Sequence, residues 1–287
     1  MSSQPLRDAA VAGSWYPKSP TLLASEVDLY LSAVPAHVAG GDIRALVSPH
    51  AGLVYSGPIA AWAYRSVQGA EFDVAVLVGP SHYHGFDSVA VVPRGAFATP
   101  FGPAPIAEEV ADAMLASGGV VRDLPLPHVK EHSLEMQLPF LRRVLPDTPI
   151  VPLLMGDQSP SLVTGLADTL ARALSGRRAL LIASSDLSHY LDAQSAAAMD
   201  GRVLDLVGRF DADGLLSALQ DRPGHACGGG PIVAVMKAAR ALGARDGRVL
   251  KYGDSGDVSG DKRAVVGYMA AAFGEFPAPA PGSGRAS

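Results

Sequence analysis

The sequence predicts an α/β fold: a single domain with a central mixed sheet flanked by helices. Three observations predict it. Apolar, strand-like runs stand at 43–47, 74–78, 150–155 and 179–183. Amphipathic stretches alternate with them, the pattern of a sheet covered by helices. Hydrophobic residues make up 48% of the 287 residues and charged ones 18%, which fits a chain with one sizeable core.

The elements follow in order. The run Ile43-Arg44-Ala45-Leu46-Val47 leads directly to His50. Ser56-Gly57-Pro58 predicts a helix start with the helix reaching 68, Pro58 sitting early where its missing N–H is harmless. Strands follow at 74–78 and 88–92, then a Pro/Gly loop over 99–105 and a helix over 106–117. Leu134, Leu138, Leu141 and Leu145 give helical spacing across 131–145, with Pro139 placed to start or kink it. A strand at 150–155, a helix at 162–174 and a strand at 179–183 come next. Two helices fit between 193 and 219. Cys227-Gly228-Gly229-Gly230-Pro231 opens a helix to 242, and strands at 249–252 and 264–272 complete the sheet. Residues 34–41 read as loop. The domain spans 1–274; the tail 275–287, rich in Pro, Gly, Ala and Ser, is expected to be disordered.

Composition narrows the function. Lys and Arg number 23 against 28 Asp and Glu, a net charge of −5 without a basic stripe, which argues against nucleic acid as a partner. The apolar run at 264–273 is about half of the ~20 residues that a membrane-spanning helix requires. The first residues carry no charged segment followed by an apolar one, so a cytoplasmic location is the expectation. A single cysteine, Cys227, permits no intrachain disulfide.

Seven of the eight histidines cluster where strands or helices end: His50, His82 with His84, His128 with His132, His189 and His225. In an open α/β sheet the carboxyl ends of the strands share a ligand-binding crevice. Neutral imidazoles delivered there suit Fe, Cu or Zn. Cys227 reads either as a small buried hydrophobe or as a thiolate favoured by the helix start behind it, with His225 adding charge. Asp186 and His189, three apart in SSDLSH, read as a carboxylate–imidazole pair for acid–base work or as a helix cap. His132 and Glu135 in EHSLEMQLPF either share the crevice or mark a solvated helix start.

Six motifs, AGSWYP (12–17), SPHAGLVYSG (48–57), GPSHYHG (79–85), EHSLEMQLPF (131–140), SSDLSHY (184–190) and ACGGGPI (226–232), together resemble the Memo family, whose prokaryotic members are also called AmmeMemoRadiSam system protein B. The resemblance implies a fold similar to the class III extradiol (LigB-like) dioxygenases. It implies His50, His82 and Cys227 as metal ligands, with Fe(II) first and Cu or Zn as alternatives. It also implies Asp186 and His189 as catalytic residues lining the same pocket, with Trp15 and Tyr55 at its mouth. Cysteine then stands where the dioxygenases use a carboxylate, so ring cleavage does not transfer with the fold. The leading expectation is a metal-dependent redox protein acting on an unknown small molecule. The rival is a binding module for phosphotyrosine-type peptides, or for radical SAM and AMMECR1-domain proteins.

Overall fold

A computed structural model describes residues 5–36 and 38–277. The strands in chain order are β1 (Leu6–Arg7), β2 (Asp42–Ser48), β3 (Val74–Pro80), β4 (Val89–Val91), β5 (Ala96–Phe97), β6 (Ala104–Pro105), β7 (Val121–Asp123), β8 (Ile150–Met155), β9 (Ala179–Ser184), β10 (His189–Leu191), β11 (Asp246–Asp254) and β12 (Val265–Glu275). The helices are α1 (Pro20–Ser32), α2 (Leu53–Arg65), α3 (Glu108–Ala116), α4 (Leu138–Val144), α5 (Pro160–Ala173), α6 (Ala193–Gly208), α7 (Ala212–Asp221), α8 (Gly229–Ala241) and the single turn α9 (Gly256–Ser259).

The main sheet runs β10-β12-β2-β9-β3-β8-β4-β7, with β11 paired to β12. Its centre, β2-β9-β3-β8, is parallel, and β12 and β4 join it antiparallel. The sheet is therefore mixed and flanked by helices, as the sequence predicts. All seven residues of β3 are buried. A strand covered on both faces reads as one continuous apolar run, which is why Val74–Val78 carries no alternation. Each fully buried valine or leucine there contributes roughly 1.5–3 kcal/mol. A small second sheet, β1-β5-β6, holds the amino-terminal segment.

Several boundaries differ from expectation for physical reasons. Helix α2 starts three residues early because the carbonyl of Trp15 accepts the Leu53 N–H at 2.8 Å, leaving Pro58 inside the helix. The 131–145 segment is not one helix; it is a loop, a short 3-10 turn (Glu135–Gln137) and then α4, with Pro139 in the first turn. Helix α1 has no counterpart in the sequence reading, although its signals are strong. Ser19 caps it, Pro20 begins it, and Leu23, Val27 and Leu31 bury one stripe. Order also extends past the expected domain end. Strand β12 runs to Glu275, and Phe276 is buried under the Arg248 guanidinium, 4.3 Å from its ring centroid. Residues 278–287 of the expected tail lie outside the described residues.

Gly79, the next-to-last residue of β3, lets the 131–134 loop sit directly on the strand. A Cβ there would stand 2.8 Å from Leu134 Cδ2 and 2.9 Å from Ser133 Oγ. Gly79→Ala should therefore cost about 1–3 kcal/mol by overpacking. Gly85→Ala, whose added methyl meets nothing within 4 Å, serves as the comparison. Equal denaturation midpoints for the two variants would show that the loop does not rest on β3.

Candidate metal centre

Because β9 lies between β2 and β3, three parallel strands end side by side. Each delivers a polar side chain two residues past its end: His50 after β2, Asp186 after β9, His82 after β3. The 131–134 loop, seated on β3, adds His132. His50, His82 and His132 each offer a ring nitrogen, and these atoms all lie within 4.8 Å of one another. The ring centroids of His82 and His132 are 4.5 Å apart and stacked; His50 stands edge-on at 5.2 Å from His82.

The hydrogen bonds fix which nitrogens are bare. Ser184 Oγ donates its single proton to the Ser133 carbonyl at 2.6 Å and accepts from Gln137 Nε2 at 2.7 Å. Its contact with His50 Nδ1 at 2.9 Å therefore has the imidazole as donor. That leaves His50 Nε2 without a proton. His82 Nδ1 donates to Glu131 Oε1 at 2.8 Å, which leaves its Nε2 bare as well. Burial pushes the His50 pKa well down, and the neighbouring histidines add to this. Burial likewise takes His132 to about 4, and its enclosed Nδ1 has no hydrogen-bond partner.

Glu131 is the organiser. Burial alone would raise its pKa. Hydrogen bonds from the His82 ring and from the backbone N–H groups of His82 and Ser133 outweigh burial and hold it at about 2. An ionised carboxylate thus orients His82 and fixes the backbone that carries His132.

Cys227 reaches the cluster at one point. Its Sγ stands 3.2 Å from His50 Nε2, so the thiol faces a bare acceptor. Burial and the Asp186 carboxylate push that thiol up to about 12. The third imidazole within mutual reach is His132, and the sulfur flanks the set on the His50 side. Cys227 also lines a 470 Å³ cavity with Gln158 and Leu219, to which none of the three imidazoles contributes.

Other expected positions are corrected. Asp186 does not pair with His189. Its carboxylate accepts the His50 backbone N–H at 2.7 Å, and burial pushes its pKa up to about 7. His189 Nδ1 donates instead to the Leu187 carbonyl at 2.9 Å, because β10 pairs with β12 and carries the ring to the rim. The cap of the next helix is Asp192, whose carboxylate accepts from Gln194 and Ser195 N–H. Glu135 does not enter the crevice. Fully buried, it accepts from Arg7, from the N–H groups of Ala10 (2.7 Å) and Val11 (3.0 Å), and from the Tyr16 hydroxyl (2.8 Å). His225 lines a different cavity, with Arg202 and Arg222. His84 lies on the loop after β3 and, among the described residues, makes none of the cluster's ring contacts or hydrogen bonds.

Trp15 does border the site, 4.4 Å from the His132 ring, and Tyr83 adds an edge at 6.0 Å. Tyr55, on the first turn of α2, lies against Gly52, which also adjoins the Trp15 carbonyl. Tyr190, beside His189, is 78% exposed and has φ 62°, a left-handed conformation held at a bulge between β10 and β12. The roles of Glu131, Gln137 and Ser184 were missed from sequence. The available signal was Glu131 adjoining a histidine, since ligating imidazoles commonly donate to carboxylates.

Fold and site together define an α/β protein with a candidate histidine metal centre at the carboxyl edge of its sheet. The chain belongs to the Memo family: the family model described as "Memo-like protein" matches residues 7–272. It is 40% identical over 268 residues to a MEMO1 family protein of Methanosarcina mazei, covering 92% of this chain and 98% of that one. A MEMO1 family protein of Thermotoga neapolitana is 35% identical over 279 residues, covering 93% and 99%. A solved structure of an uncharacterized Escherichia coli protein shares the fold, at a TM-score of 0.50 and 15% identity, covering 79% of this chain and 99% of that one. Among the described residues, no helix is long and apolar enough to cross a membrane.

Two outcomes are expected. Long-range ¹H–¹⁵N spectra of the metal-free protein at neutral pH should show His50 and His82 as Nδ1–H tautomers; protons on Nε2 would refute the assigned hydrogen-bond directions. Glu135→Ala should lose about 3–5 kcal/mol, because Arg7 and the Tyr16 hydroxyl stay buried without their partner. A denaturation midpoint unchanged from wild type would show that the amino-terminal segment is held by something else.

Proposed function

We propose that this protein binds one transition-metal ion, Fe(II) in the first instance and Cu or Zn as competitors, and uses it in redox chemistry on a small molecule. His50, His82 and His132 would hold the ion, with Cys227 as a further donor. The observation that carries this reading is the close approach of three imidazole nitrogens, two of them bare by hydrogen-bond logic. The enclosed Nδ1 of His132, 3.5 Å from Glu131 Oε1 but without a hydrogen bond, fits the same reading. Such a donor set suits iron, copper and zinc, and the sulfur shifts preference toward the softer ions. When bound, a redox-active ion would supply electron transfer and activation of O2.

The chain's own residues have separate tasks. Glu131 and Ser184 orient His82 and His50 and keep their outer nitrogens protonated. Asp186 fixes the backbone at His50. His189, with Nδ1 committed to a carbonyl, keeps Nε2 free to take or give a proton at the rim. Trp15, Tyr55, Tyr83 and Tyr190 offer exposed ring faces, which favours a substrate with a flat apolar part. Burial keeps His50 and His132 neutral near pH 7, so the donors suit a cation better than a phosphate. That weighs against the phosphopeptide reading.

Metal analysis of protein purified without chelator should find about one ion per chain. His50→Ala, His82→Ala and His132→Ala should each lose it, and Glu131→Gln should bind about 10–100-fold more weakly. Cys227→Ser should retain metal but change the absorption spectrum of the loaded protein. Equal metal content in wild type and the three histidine variants would overturn the proposal. An ion bound with no spectral response to O2 would overturn its redox half alone.

A further inference from the structure

A second cavity, of 640 Å³, lies away from the imidazole cluster, between α6, α7 and the end of β10. That volume falls within the range of about 300–1,000 Å³ typical of small-molecule sites. None of His50, His82 or His132 lines it. Its polar wall is formed by Arg202 from α6 and by Arg222 and His225 from the segment after α7; Leu191 and Met199 form the apolar wall.

Two independent features point to a ligand. First, His225 is only 5% exposed, yet among the described residues neither of its ring nitrogens has a hydrogen-bond partner, and Nδ1 is enclosed. Buried polar groups are nearly always satisfied, so an imidazole left in this state marks a place where something else completes the bonding. Second, Arg202 and Arg222 come from different elements and converge on that ring, and among the described residues neither belongs to an ion pair. Converging guanidinium forks match carboxylate and phosphate oxygens in pairs.

From these observations we propose that this cavity binds a small amphipathic anion, a carboxylate or phosphate head on a short apolar body. Arg202, Arg222 and the accessible edge of His225 hold the head, and Leu191 and Met199 cover the body. Asp221 also lines the cavity. Its charge opposes a second anionic group, which selects a single head over a polyanion.

The test uses the full chain at constant ionic strength, titrated with hexanoate, butyl phosphate, inorganic phosphate or butanol. Binding is followed by calorimetry and by the His225 ring resonances. Hexanoate or butyl phosphate, whichever head fits, should bind and move the His225 signals; comparing the two distinguishes carboxylate from phosphate. Arg202→Ala and Arg222→Ala should each weaken binding by at least about tenfold, as expected for the loss of one charged hydrogen-bond donor. Both arginines are exposed, so these variants should fold and keep their metal. Arg209→Ala, on an exposed arginine outside this cavity, should leave binding unchanged. The proposal fails if neither amphipathic anion binds or if butanol binds equally well. It fails also if inorganic phosphate binds as tightly as the alkylated anions, or if the shifts appear at His82 and His132 instead of His225.

Discussion

The insertion of β9 between β2 and β3, all three parallel, is the constraint on which the site depends. Parallel neighbours in register end at one edge, so residues far apart in sequence emerge within a few ångströms of each other. Ser48 pairs with Ser184, and Val78 with Ala183, so β2 and β9 end level and β3 runs one residue further. These exits put His50, Asp186 and His82 at one edge of the sheet. The Asp186 carboxylate, leaving the middle strand, then ties down the backbone at His50. A shift of one residue in any of these pairings would turn its terminal side chain to the opposite face and dissolve the cluster.

Much of this was legible in the sequence because apolar runs and strand-end histidines are local signals. The runs at 43–47, 74–78, 150–155 and 179–183 all lie in central strands, and His50 and His82 stand at their ends. What was illegible depended on partners remote in sequence. Glu135 looks like a helix-start carboxylate until the amino-terminal segment is seen to wrap around it. Asp186 and His189, three apart, look like a pair, but β10 pairs with β12 at the sheet's edge, with β12 and β2 between it and β9, so the two side chains are aimed differently. His225 is two residues from Cys227 and yet opens onto another cavity. Proximity along the chain was a poor guide wherever a loop intervened between strand and helix.

The amino-terminal segment links stability to the site. Glu135, buried and accepting from Arg7, Ala10, Val11 and Tyr16, fixes the course of residues 7–16 across the core. That course places the Trp15 ring on His132 and the Trp15 carbonyl on the Leu53 N–H, where α2 begins. The residues just before α2 carry His50, so one buried carboxylate settles both the wall of the crevice and the first helical turn beyond its deepest imidazole. Glu131, four residues earlier, performs the corresponding task for His82 and the backbone of His132. Two acidic residues in one short segment thus divide the work: the one facing the crevice stays ionised to orient imidazoles, and the one facing the core anchors a strap. The 131–134 loop seated on β3 carries the first and leads directly into the turn that carries the second, which is why the small residue at Gly79 matters to the geometry of the whole edge.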